Sequence, residues 1–228
     1  MIRRMRVTEI FGSIQGETTR SGCLASFVRL DGCNLHCTWC DTAYARQGGR
    51  EMSVDAILQA ILDLGMDTVV VTGGEPLIQP ETPALLTVLA AAHPHVILMT
   101  NGTLPLDQVP TTVIKVVDIK TPWSHETIPG LSEDTIPPDP PHLRLANLYL
   151  LTPIDEIKAV VRDRREFQWY AAFCERHRLF DRVGAVLVAP AWGLLEPTLL
   201  VDWMKASGRP FRLNLQWHKY LYGERQGV

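Results

Sequence analysis

The sequence predicts an α/β fold: a partial, open parallel β/α barrel in a single domain over residues 1–228, with an insertion around 122–141. Three observations predict it. Short β-type runs alternate with amphipathic segments, a rhythm that produces parallel strands joined by right-handed crossovers. The chain has 228 residues, fewer than the roughly 250 that a closed eightfold barrel takes. Hydrophobic residues make up 46% and charged residues 21%, the balance of a domain with a buried core.

Taken in order, the candidate strands are Leu24–Leu30, Thr68–Val71, His95–Met99, Val113–Ile119, Glu156–Val161, Val183–Val188 and Phe211–Trp217. Between the first two, Ser53 can cap a helix that carries Val54, Ile57, Leu58, Ile61 and Leu62 on one face, with Gly65 as its stop. Pro83–Ala92, Asp163–Leu179 and Pro197–Ser207 read as the later helices. The stretch Pro122–Pro141, rich in proline and acidic residues, cannot form regular structure and reads as a surface insertion, a lid or a disordered loop. Cys23 and Cys174 read as small buried residues, the first beginning a strand and the second on a helix.

Several function classes are excluded. A net charge of −3 offers no basic field for nucleic acid. Met1–Arg6 lacks the apolar run of a signal peptide, and the most apolar stretches, Ala84–Ala92 and Leu143–Leu151, are too short to span a bilayer. The chain is therefore expected to be soluble and cytoplasmic, with no membrane partner. In a reducing compartment, three cysteines packed into eight residues point to metal rather than to disulfides.

Those cysteines are Cys33, Cys37 and Cys40, spaced C-x3-C-x2-C on a loop after the first strand. Three thiolates on a tight loop can hold three irons of a cubane cluster and leave the fourth open to an external ligand. The competing reading is a zinc knuckle with His36 as fourth ligand. Zinc sites usually use two separated doublets, and no second doublet exists here.

The spacing, with Trp39 before the last cysteine, resembles the signature of the radical S-adenosylmethionine superfamily. Thr72-Gly73-Gly74-Glu75-Pro76, straight after the second strand, matches that superfamily's GGEP element. Two glycines permit close backbone approach and a carboxylate can receive an ammonium. The opening segment Thr8–Thr18, the run Phe27–Leu35, Cys40-Asp41-Thr42 and the ending Gln216-Trp217-His218-Lys219 are together similar to the 7-carboxy-7-deazaguanine synthase family.

That resemblance implies the superfamily's partial barrel, a 4Fe-4S cluster on Cys33, Cys37 and Cys40, bound S-adenosyl-L-methionine, and Mg2+ held by Thr42. It implies a radical ring contraction of 6-carboxy-5,6,7,8-tetrahydropterin to 7-carboxy-7-deazaguanine with loss of ammonia. It also implies a homodimer and an electron donor of the flavodoxin or ferredoxin kind. By resemblance, Trp39, Asp41, Gly73, Gly74, Glu75, Asn101 and Lys120 contact the cofactor, and Ile14, Gln15, Gly16, Glu17, Arg29, Thr72 and His218 the substrate. The family's glycine after the glutamate is Thr18 here, and its Ser-x-Lys pattern reads Asp118-Ile119-Lys120.

Read from the residues alone, several of these keep a second meaning. Arg29 shares an apolar strand face with Ala25 and Phe27, and its anion is either a substrate carboxylate or a nearby acid. Thr42 can hold a hard cation or cap a helix. Asn101 is a cofactor contact or a turn residue, and Lys158 lines a cavity or is half-exposed. In the last predicted strand Leu213, Leu215 and Trp217 point one way, and Asn214, Gln216 and His218 the other. Two rival functions are a glycyl-radical-enzyme activase, which shares the cysteine and GGEP elements, and a non-catalytic zinc-stabilised binding module.

Overall fold

In a computed structural model describing residues 4–124 and 136–228, nine strands form one open sheet in the order β3-β1-β2-β4-β5-β6-β7-β8-β9. The strands are β1 (Arg4–Ile14), β2 (Leu24–Leu30), β3 (Arg50–Ser53), β4 (Thr68–Gly73), β5 (His95–Thr100), β6 (Ile114–Asp118), β7 (Glu156–Val161), β8 (Ala185–Pro190) and β9 (Phe211–Leu213). From β2 through β9 every pairing is parallel, while β1 runs antiparallel to both β2 and β3. The partial open barrel is thus the fold. The central part of the 122–141 insertion lies outside the described residues.

The helices are α1 (Val54–Leu64), α2 (Thr82–Ala92), α3 (Arg164–Arg176), α4 (Pro197–Ser207) and α5 (Trp217–Tyr222). Helix α1 is framed as its ends predict. Ser53 accepts from the Ala56 amide, and Gly65 takes the left-handed conformation at φ 67°. Asp163 caps α3 in the same way by accepting from Glu166 N. The helices cover one face of the sheet with a continuous core that includes Ile57, Ile61, Leu85, Leu89, Ile157 and Phe173. The opposite face carries a smaller apolar set, Ala25, Phe27, Val70, Ile97 and Val116, with Phe11 and Met99 against it.

Three expectations are corrected. β1 and β3, absent from the predicted strands, add an antiparallel pair at one end of the sheet. The last strand stops at Leu213 rather than Trp217, and Trp217–Tyr222 is helical. The chain leaves the sheet because Trp217 N donates to Gly16 O at 3.0 Å, pulling the C-terminal segment onto the turn after β1. Cys23 is exposed, since it ends that turn rather than entering the core, whereas Cys174 is buried on α3.

Candidate active site

The concave face of the sheet bounds a cavity of about 440 Å3. Cys33, Cys37 and Cys40 line it together with Gly73 and Gly74, and so do Gln15–Glu17, Arg29 and His218. Residues far apart in sequence thus share one chamber at the C-terminal ends of the parallel strands, where barrel folds carry their chemistry.

The cysteine loop is built by backbone hydrogen bonds to near and distant parts of the chain and by a close backbone contact. Gly32 takes φ +100°, which a side chain would strain, and its amide donates to Ala45 O at 2.9 Å. Cys40 N donates to Cys37 O at 3.3 Å, and Thr38 N to Ser124 O at 2.9 Å. The Gly73–Gly74 loop presses directly on it. A Cβ at Gly74 would lie 2.3 Å from Gly32 O and 2.6 Å from Cys33 Cβ. Only glycine allows that approach.

The three thiols are free and partly buried. Burial raises Cys33 and Cys37, so loading a metal must displace their protons. Among the described residues, no three His, Cys, Asp or Glu side chains surround a position for a single ion. A cluster asks for a different arrangement, one thiolate at each of three irons. The donor set on this wall fits it.

Trp39 lines the cavity and lies under the Arg162 guanidinium at 4.4 Å, with Arg162 paired to Glu166 at 2.9 Å. Asp41 bonds to Gln216 Nε2 at 2.9 Å and to Lys219 Nζ at 3.2 Å. Burial alone would raise its carboxyl, yet Lys219 and Gln216 override that and hold it at about 2. Thr42 stands at the start of a short 3-10 turn without capping it, and its hydroxyl is 3.9 Å from Cys40 Sγ.

Glu75 departs from the expected ammonium acceptor. Its side chain is fully buried and absent from the cavity wall. Oε1 accepts from Thr100 Oγ1 and Leu77 N, and Oε2 from Asn101 N. The carboxylate is consumed in pinning two loops together. Asn101 does line the cavity, with its side-chain amide donating to Asn34 Oδ1 at 3.0 Å.

Of the two readings of Arg29, the nearby acid is present. Its Nε donates to Glu9 Oε1 at 2.7 Å, and the Tyr44 hydroxyl reaches the same oxygen at 2.8 Å. Burial and the Glu9 carboxylate raise Tyr44 to about 12, so it stays a protonated donor. No hydrogen bond among the described residues engages Arg29 Nη1 or Nη2, which leaves donors for an anion in the cavity.

The Gln15–Glu17 turn is held from three sides. Glu17 N donates to Gln15 Oε1, Thr18 N to Asn214 Oδ1 at 2.7 Å, and Thr19 to the Glu156 carboxylate. Asn214 therefore faces this turn, not the cavity, while Gln216 and His218 line the cavity. A Cβ on Gly16 would fall 2.2 Å from His218 Nδ1. Ile14 and Thr72 complete that side, and Lys120 pairs with Asp118 at 3.0 Å. Glu9, Tyr44 and Arg162 escaped the sequence reading; their contacts lie 20, 35 and over a hundred residues from their partners.

Comparison with known proteins finds relatives both in sequence and in fold. The model of the radical SAM superfamily matches residues 27–116. A 7-carboxy-7-deazaguanine synthase of Koribacter versatilis is 38% identical over 98% of this chain and 100% of its own length. One from Chlorobaculum tepidum is 38% identical over 96% of this chain and 94% of its own length. The crystal structure of QueE from Escherichia coli shares the fold, with a TM-score of 0.68 and 22% identity over 93% of this chain and 94% of that one.

Proposed function

Because this chain belongs to the 7-carboxy-7-deazaguanine synthase family, we propose that it contracts the ring of 6-carboxy-5,6,7,8-tetrahydropterin to 7-carboxy-7-deazaguanine with loss of ammonia. The observation that carries this reading is one cavity wall. It joins the cysteine loop and the Gly73–Gly74 loop to a set of polar side chains suited to a carboxylated heterocycle. Neither the activase nor the zinc-stabilised module is favoured by the relatives, which are named as synthases.

Cys33, Cys37 and Cys40 would hold the 4Fe-4S cluster, and S-adenosyl-L-methionine would lie along Gly73, Gly74, Asn101, Lys120, Trp39 and Asp41. Bound there, these groups would supply the radical chemistry that removes a hydrogen atom from the substrate. The chain's own residues bind and orient. Gln15, Gly16 and Glu17 read the amide-rich edge of the pterin, with Ile14 and Thr72 beside it. Arg29, kept in place by Glu9 and Tyr44, offers its free nitrogens to the substrate carboxylate.

Burial lowers His218 below the ordinary histidine range, which favours a neutral ring beside Glu17. Thr42, whose hydroxyl caps nothing, is our candidate for holding Mg2+. A homodimer, a flavodoxin or ferredoxin donor and a cytoplasmic location complete the reading.

The test is an anaerobic assay of the reconstituted enzyme with reductant, S-adenosyl-L-methionine and the tetrahydropterin. Mass spectrometry should find 7-carboxy-7-deazaguanine and released ammonia; a cluster-loaded enzyme that leaves the pterin unchanged rejects the reading. A Thr42→Ala variant that keeps the wild-type response to added Mg2+ rejects the metal assignment.

A further inference from the structure

Lys158 stands where carboxylates from two distant parts of the chain meet. Its Nζ is 2.8 Å from Glu17 Oε2 and 3.3 Å from Asp118 Oδ2. Asp118 is its register partner on the neighbouring strand β6, and the same Oδ2 holds Lys120 at 3.0 Å. Glu17 comes from the turn between β1 and β2, 141 residues away. All four side chains line the cavity.

Burial alone would lower the pKa of this lysine. Asp118 and Glu17 outweigh it and push Lys158 above the ordinary lysine range, so it is a fixed cation. Glu17 spends one oxygen on it. No hydrogen bond among the described residues engages the other, Oε1. A carboxylate pinned at one oxygen presents the second in a defined direction, ready to accept an N–H donor.

We propose that Lys158 is a positioning residue for Glu17: it aims the open oxygen of that carboxylate at the N–H edge of the heterocyclic substrate, and Asp118 holds the lysine from the cofactor side. The proposal deepens the reading of Glu17 as a substrate contact and rests on it. Without the ammonium, two carboxylates share a buried space, and Glu17 must turn away or take up a proton.

The experiment titrates the tetrahydropterin calorimetrically into reconstituted, S-adenosyl-L-methionine-loaded enzyme without reductant, alongside steady-state kinetics with reductant. In Lys158→Met, Kd and KM for the pterin should both rise about tenfold. The kcat should stay within about twofold, because a contact made equally in ground and transition states appears in KM. Lys158→Arg, which keeps the cation, should recover most of the affinity. The double variant Lys158→Met/Asp118→Asn relieves the excess negative charge, and it decides the matter if the single variant does not fold.

It should keep wild-type iron content and melting behaviour yet show the same pterin defect. Wild-type pterin affinity in both methionine variants overturns the proposal, as does a fall in kcat at unchanged KM or a Lys158→Arg variant as impaired as Lys158→Met. A wild-type enzyme that neither binds nor converts the pterin overturns the substrate reading, and this proposal falls with it.

Discussion

The Glu75 carboxylate accepts the backbone amide of Asn101 at 2.7 Å through Oε2, while its Oε1 receives Thr100 Oγ1 at 2.8 Å. The glutamate of the Gly-Gly-Glu-Pro loop is therefore a brace between β4 and the end of β5. Glu75→Gln keeps the shape but must turn an N–H2 group toward one of those donors. With the side chain fully buried, the mismatch should cost about 1–3 kcal/mol. Urea denaturation measures it, and a change below the error of the method would show that the brace carries no stability.

Thr18 adopts φ 70°, a left-handed conformation that a β-branched residue resists. Its amide is held there by Asn214 Oδ1 at 2.7 Å. The family's glycine at this position has a plain physical reason, and this chain does without it. Thr18→Gly relieves the strain but adds freedom to the unfolded chain, leaving a net gain of about 1 kcal/mol. Thermal melting of the two proteins checks this, and a lower melting temperature for the glycine variant would contradict it.

Gly74 touches the cysteine loop more tightly than any side chain permits. The Cβ of Gly74→Ala would meet Gly32 O at 2.3 Å and Cys33 Cβ at 2.6 Å, so the loop carrying Cys33 has to move. Overpacking of this kind costs about 1–3 kcal/mol, concentrated here on a cluster ligand. The variant should reconstitute with less iron and weaker cluster absorbance, on the order of half the wild-type level or below. Full cluster loading would mean that the two loops separate freely.

Contiguous signals were legible, and the elements lost are those whose cause lies elsewhere in the fold. Ser53 and Gly65 mark both ends of α1, and Leu24–Leu30 and Glu156–Val161 are strands at their predicted limits. β1 escaped because the alternation that begins at Arg4–Val7 is broken where its pairing shifts between Val7 and Glu9. The alternation of Leu213, Leu215 and Trp217 ran past the true end of β9, since the bond from Trp217 N to Gly16 O leaves no trace in local pattern. The site divides in the same way. The cysteine and glycine motifs are local, so they could be read directly. The pairs Arg29–Glu9, Lys158–Glu17 and Trp39–Arg162 exist only once the sheet brings distant strands together.

His218 supplies a dependence on pH with a definite sign. Burial lowers its pKa, while Glu17 and Asp41 oppose the shift and Lys219 and Lys158 add to it. The unfolded chain, with a histidine near the ordinary value of about 6.5, then binds more protons than the folded one as the solution becomes acidic. Stability must fall as pH drops through that value toward the lower folded pKa, and above it the histidine contributes no slope. Urea midpoints at pH 7.5 and 5.5 should therefore differ more in the wild type than in His218→Gln, whose side chain does not titrate. Equal differences in the two proteins would assign the acid sensitivity to another group.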